Sequence, residues 1–203
     1  MLETLLKERG IMNIWEEPGQ RYTPEAWEKR RAEIVRLLCA EEYGFLPAAS
    51  GRAEFEVLEE NHRFCAGKAV LRKVRITARF GERSASFPCY AAIPNGSGKY
   101  PFFVLLNFRD LVPDIYYPAE EICDNGFAVL TVCYKDVTSD NGDFDDGAAG
   151  AAFGGRERGD ADGGKIALWA WAASRVMDYA ETLPQLDPAR AFVAGHSRLG
   201  KTA

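Results

Sequence analysis

Three largely apolar segments constrain the fold of this chain more than any other feature of its sequence. They are PFFVLLNF at 101–108, FAVLTVCY at 127–134 and ARAFVAG at 189–195. The first two lack the polar alternation of a strand with one wet face, and such segments are typical of strands buried on both faces. Helical patterns at 118–126 and 164–182 separate the three segments. Strand, helix, strand, helix, strand in this order predicts a parallel sheet covered by helices.

The segments before residue 100 have a different character, because their apolar residues alternate with polar ones. KVRITARF at 73–80 and SASFPCYAAI at 84–93 predict an antiparallel hairpin, with a shorter strand at 54–60 before it. Pro88 predicts an edge position or a bulge. Thr23 predicts the start of a helix, since threonine caps helices and proline follows it.

The expected domain organisation is a lead-in over 1–22 with a short helix at 1–9, followed by one α/β domain over 23–203. The segment at 136–164 is rich in glycine and aspartate. Its acidic residues fail the spacing of a calcium loop, and we expect a long solvated loop over the carboxyl edge of the sheet.

Composition excludes several classes of function. Hydrophobic residues make up 47% of the chain and the net charge is −5, so we expect no nucleic acid or membrane partner. No segment approaches the roughly 18 apolar residues of a membrane span. The five cysteines form no C-x-x-C pair and are expected to be buried free thiols, which favours the cytoplasm.

The segment AFVAGHSRLGKTA at 191–203 carries two competing motifs. Residues 195–202 match the phosphate-loop pattern G-x-x-x-x-G-K-T without a mismatch. The same segment places Ser197 after an apolar strand, as in a nucleophile elbow, but Leu199 stands where that motif has glycine and Gly200 follows one position later. Two apolar strands and a helix precede the motif, and this context favours the elbow. The phosphate loop remains an alternative hypothesis.

The motif GHSRLGKTA resembles the serine motif G-x-S-R-x-G-K of the glucuronoyl esterases and related carbohydrate esterases. The segments 27–47, 105–108, 132–147, 167–182 and 186–203 are similar to segments of bacterial members in the same order. The resemblance implies an α/β-hydrolase fold that is incomplete here, with antiparallel N-terminal strands, then parallel strands with flanking helices, and without the C-terminal strands. It implies a serine carboxylesterase acting on an ester of a sugar acid or an acylated sugar, without cofactor or metal. An acetyl-sugar esterase of the acetyl xylan type is the close alternative.

The resemblance also implies roles for three residues. Ser197 would be the nucleophile, Arg198 would stabilise the oxyanion with its amide and side chain, and Lys201 would contact sugar hydroxyls. A second oxyanion donor is expected near Phe108 and Arg109 by analogy with the fold. A small carbohydrate ester fits a cytoplasmic enzyme better than polymeric lignin–xylan does.

The general base is missing from this set. The sequence has two histidines. His62 precedes the serine, whereas this fold places its histidine last, and His196 adjoins Ser197 in a turn. We therefore expect the acid and the histidine beyond residue 203, so that the chain is the N-terminal portion of a longer enzyme and is inactive alone. We also expect the strand at 189–195 to be an exposed sheet edge that promotes self-association.

Overall fold

The computed structural model describes residues 4–5, 8–9 and 23–203. It divides into two compact units, residues 1–42 and 43–203. Helix α1, Pro24–Leu38, belongs to the first unit, and the Thr23 hydroxyl accepts a hydrogen bond of 3.1 Å from the Ala26 amide as predicted. A π-helical turn follows at Cys39–Tyr43. Most of the predicted lead-in and its short helix lie outside the described residues, although the Arg9 amide donates to the Leu5 carbonyl.

The second unit is built on a six-stranded mixed sheet with the order β1-β2-β3-β5-β4-β6. The strands are β1 Ser50–Phe64, β2 Ala69–Phe80, β3 Arg83–Pro94, β4 Tyr100–Asn107, β5 Ala128–Cys133 and β6 Leu186–Ala194. The helices are α2 Ala119–Asp124, α3 Tyr134–Val137, α4 Gly147–Phe153, α5 Lys165–Glu181 and α6 Arg198–Thr202, with a 3-10 turn at Cys65–Gly67. None of the described helices is long and apolar enough to span a membrane.

The antiparallel half of the sheet follows the predicted alternation. Strands β1, β2 and β3 pair antiparallel in sequence order, and β3 then pairs antiparallel with β5. Val74 lies opposite Cys89 and Ile76 opposite Phe87, and all four side chains are buried. Pro88 lies opposite Arg75, in the part of β3 that pairs with β2 alone, so its missing N–H costs no hydrogen bond to β5.

The parallel half confirms that continuous apolar segments form strands buried on both faces. Strand β4 pairs parallel with β5 and with β6, and every residue of β5 is buried. Alternate residues of β5 enter two core clusters: Leu130 packs with α4 and α5, whereas Val129 packs with α2. The helices therefore cover the two faces of the sheet, as expected for a doubly wound fold.

One expectation about a single segment was wrong. The segment 147–153 is helix α4 and not a solvated loop, because its small residues Ala148, Ala149 and Ala151 are buried with Phe153 against the sheet. Strand β6 is the exposed sheet edge that was expected, because among the described residues only β4 pairs with it. The cysteines are free thiols as expected, three of them buried.

Candidate active site

The carboxyl ends of the three parallel strands meet at one edge of the sheet. A cleft of about 460 Å³ lies there, between the ends of β4 and β6. Its lining comprises Leu105, Leu106, Asn107, Phe108, Arg109, Tyr116, Ala194, Gly195 and His196. Strand β5 lies on one side of β4 and β6 on the other. The strand order thus reverses at this cleft, which is where open α/β sheets bind their ligands.

Ser197 occupies a strained turn beside this cleft. Its backbone has φ 56° and ψ −123°, in a sparsely populated region that costs a residue with a side chain about 1–3 kcal/mol. The turn joins β6 directly to α6 and leaves the serine exposed. Strain of this kind at an exposed serine between a strand and a helix is the geometry of a nucleophile elbow.

Two glycines allow the turn to close. A Cβ atom on Gly195 would lie 2.1 Å from the Leu199 carbonyl oxygen, so no other residue fits there without moving the backbone. A Cβ on Gly200 would lie 3.2 Å from the Gly195 carbonyl oxygen, which is also close. Leu199 itself is fully buried in the core. The leucine therefore anchors α6, and the glycine one position later faces the turn.

The first amides of α6 are already used within the turn. The Leu199 amide donates to the His196 carbonyl at 3.0 Å, and the amides of Gly200 and Lys201 donate to the Ser197 carbonyl at 3.0 and 3.2 Å. A phosphate loop needs such interior amides for its anion. No described residue accepts a hydrogen bond from the Arg198 amide. The Arg198 amide therefore remains available as an oxyanion donor. The amides that a phosphate would need are already bonded within the turn.

The side chains of the other predicted site residues extend from the same turn. The Arg198 guanidinium forms an ion pair with Asp140, which follows β5, and lies 5.7 Å from the centroid of the Phe108 ring, which follows β4. Lys201 is exposed one helical turn after Ser197. Arg198 therefore connects loops from all three parallel strands.

The two histidines lie in different places. The His62 imidazole is 69% exposed and bonds Glu60 at 2.7 Å on β1. Strand β1 is the opposite edge of the sheet from β6, about 24 Å away at about 4.8 Å per strand. His196 is exposed and borders the cleft, but no hydrogen bond joins it to Ser197. The described residues therefore bring no general base to the serine.

The loop after β4 borders the cleft where a second oxyanion donor was expected. Phe108 and Arg109 both line it, and the Arg109 guanidinium stacks 4.8 Å from the Tyr116 ring centroid. Asn107 is buried and donates to Asp114 at 3.3 Å, a contact that ties the loop to the end of β4. Sequence reasoning missed Asn107, although a polar residue closing an apolar strand was a signal that could have found it.

The loop after β5 is held by partly buried polar contacts. The Lys165 ammonium, at 10% exposure, donates to Thr138 at 3.0 Å and pairs with Asp146 at 3.4 Å. Burial opposes ionisation of Asp146, but hydrogen bonds from Thr138 and Ser139 and the charge of Lys165 outweigh it and lower its pKa. Asp146 is thus an ionised anchor that fixes residues 138–146 beside the cleft.

The mixed sheet, its helices on both faces and the strained serine turn at its carboxyl edge define the α/β-hydrolase class. A family model described as "Glucuronyl esterase, fungi" matches residues 76–203, which is more than half of the chain. The chain therefore belongs to the glucuronyl esterase family. The match includes the serine turn, and it favours the elbow over the phosphate loop.

Individual relatives agree with this assignment. The 4-O-methyl-glucuronoyl methylesterase of Schizophyllum commune is 26% identical over 186 residues, which cover 89% of this chain and 41% of that protein. A glucuronoyl esterase structure from Solibacter usitatus has a TM-score of 0.73 at 27% identity, covering 91% of this chain and 56% of that one. The fold is also similar to a CE15 glucuronoyl esterase from Teredinibacter turnerae, with a TM-score of 0.75 at 21% identity, covering 99% of this chain and 61% of that one. The chain spans about half the length of the curated relative and of these structures.

Proposed function

We propose that this chain carries the nucleophile of a serine carboxylesterase that hydrolyses an ester of a sugar acid or an acylated sugar. The strained conformation of Ser197 at the end of β6 carries this proposal, because the serine is exposed directly after Gly195 and His196, which line the cleft. The similarity to a 4-O-methyl-glucuronoyl methylesterase supports the substrate class.

In this proposal the Ser197 hydroxyl attacks the ester carbonyl, and the oxyanion that forms accepts from the Arg198 amide and guanidinium. An oxyanion-hole donor typically contributes about 100-fold or more to the rate. Lys201 contacts sugar hydroxyls. An amide of the loop at Phe108 and Arg109 supplies the second donor, since that loop borders the same cleft.

The 203-residue chain by itself is proposed to lack turnover. A serine hydroxyl is a weak nucleophile until a base takes its proton, and the described residues bring no such base to Ser197. Soluble imidazole offers a way to supply one from outside.

The test is labelling by a fluorophosphonate, followed by intact mass and peptide mapping. With added imidazole, we expect labelling at Ser197 roughly tenfold faster than without it, which is less than the contribution of a positioned general base because soluble imidazole is not held in place. Ser197→Ala should remain unlabelled in both conditions. If Ser197 is labelled in neither condition, with or without imidazole, the proposal that Ser197 is the nucleophile is contradicted. Turnover of methyl glucuronate without imidazole that disappears in Ser197→Ala contradicts the inactivity of the chain.

A further inference from the structure

Asp140 contacts the Arg198 side chain, and neither the motif nor the family resemblance assigned it a role. Its carboxylate forms an ion pair with the Arg198 Nη1 atom across 58 residues of sequence. The Asp140 side chain is 28% exposed and the Arg198 side chain 49%. The pair therefore lies at the surface of the cleft edge, partly shielded from water.

Asp140 is held in place from both sides. The amide of Ser139 donates to Asp146 at 2.8 Å, and the Ser139 hydroxyl bonds the side chain of Asn141 at 2.7 Å. Asp146 is itself paired with the nearly buried Lys165. The carboxylate thus meets Arg198 from a fixed loop, so that the geometry of the pair is set before any ligand arrives.

We propose that Asp140 is a specificity-determining residue that holds Arg198 and offsets its charge, so that the site prefers an uncharged ester to the carboxylate product. This inference rests on the proposed function. Hydrolysis of an ester by water releases an alcohol, a carboxylate and a proton, and an unpaired Arg198 would retain that carboxylate.

The oxyanion of the reaction is less affected than the product. A guanidinium has five N–H donors in a fixed plane, and the contact with Asp140 uses only the Nη1 group. The remaining donors are free to reach an oxyanion at hydrogen-bond distance. The charge of Asp140 weakens the long-range attraction of Arg198 for any anion. The hydrogen bonds from the remaining guanidinium donors to the oxyanion are kept.

The experiment measures protection of Arg198 against phenylglyoxal, a reagent for guanidinium groups, by mass spectrometry of the full chain. The protecting ligand is methyl β-D-glucuronoside with its free carboxylate, compared with the methyl ester of the same sugar. In Asp140→Asn we expect the half-protecting concentration of the acid to fall roughly fivefold, the upper range for a partly exposed ion pair. Protection by the neutral ester should be unchanged.

Matched variants separate charge from shape. Asp140→Glu keeps the charge and should resemble the wild type, whereas Asp140→Ser removes it again and should resemble Asp140→Asn. Asp160→Asn removes the same charge at an exposed site within residues 138–165 and should change nothing.

Equal half-protecting concentrations of the acid in wild type, Asp140→Asn and Asp140→Ser would overturn the inference, as would a lack of protection in all three. These outcomes differ from failure of the proposed function. If Ser197 is labelled but the Asp140 variants show the same protection by the acid as the wild type, only the role of Asp140 is contradicted. If Ser197 is not labelled but the fivefold shift is observed, the site discriminates against anions as inferred, and the proposed esterase function is contradicted.

Discussion

The two halves of the sheet end in very different edges. At the antiparallel edge, charged side chains pair across β1 and β2: Glu60 with Arg72, Glu56 with Arg75 at 2.6 Å and Glu59 with Lys73 at 3.6 Å. At the parallel edge, Phe192 and Val193 of β6 are 48% and 50% exposed. They border a groove of about 380 Å³ together with Ala173 and Met177 of α5.

The two edges differ because the candidate active site lies in the parallel half alone. Charged residues on an edge strand discourage pairing with another chain, and the cleft and the serine turn both lie in the parallel half. The parallel half carries a strained serine, a closely packed turn and an apolar edge within one strand and its following helix. Strain that is stored at a functional site must be offset by packing around it. Changes of similar size should therefore have larger effects in the parallel half.

The largest expected effect is that of Gly195→Ala. The added methyl group would lie 2.1 Å from the Leu199 carbonyl oxygen, and both atoms belong to the tight turn. We expect a loss of about 3 kcal/mol in the free energy of unfolding, because backbone must move to relieve such overpacking. Urea denaturation followed by circular dichroism measures it.

Two glycine variants calibrate this result. Gly200→Ala should cost less, since its Cβ would lie 3.2 Å from the nearest atom. Gly159→Ala meets nothing within 4 Å and should stay within about 0.5 kcal/mol of the wild type. Equal stability of the Gly195 and Gly159 variants would show that the turn is not closely packed.

The comparison of the halves also explains what the sequence could predict. Alternation in β2 and β3 gave the buried face correctly, and the glycines of the serine motif gave the turn, because both signals are local. Helix α4 was missed because the segment GAAGAAF combines helix-favouring alanines with glycines, and its burial depends on the sheet beneath it. The contact of Arg198 with Asp140 was missed because it joins residues that only the fold brings together.

An intermediate effect is expected at the exposed β6 edge. If this edge promotes self-association, Val193→Lys should weaken it roughly tenfold, or about 1.4 kcal/mol, because two copies would bring like charges together. Val57→Lys is the matched control, since Val57 is 53% exposed on β1, the opposite edge strand. Sedimentation velocity over a range of concentrations measures association. A wild-type chain that stays monomeric throughout would contradict the prediction.

The smallest effect is expected from Glu60→Gln at the charged edge. The hydrogen bond from Arg72 holds the pKa of Glu60 below its usual value, against the opposing effect of burial. A lowered carboxyl pKa stabilises the fold above the unfolded value of about 4.3, and this stabilisation is lost as pH falls through the folded value. Glu60→Gln should therefore cost about 0.5 kcal/mol at pH 7, and the difference should disappear as the pH falls below 4. Urea denaturation at several pH values measures it, with the more exposed Glu59→Gln as control. A cost that persists unchanged in acid would mean that Glu60 contributes through packing and not through its charge.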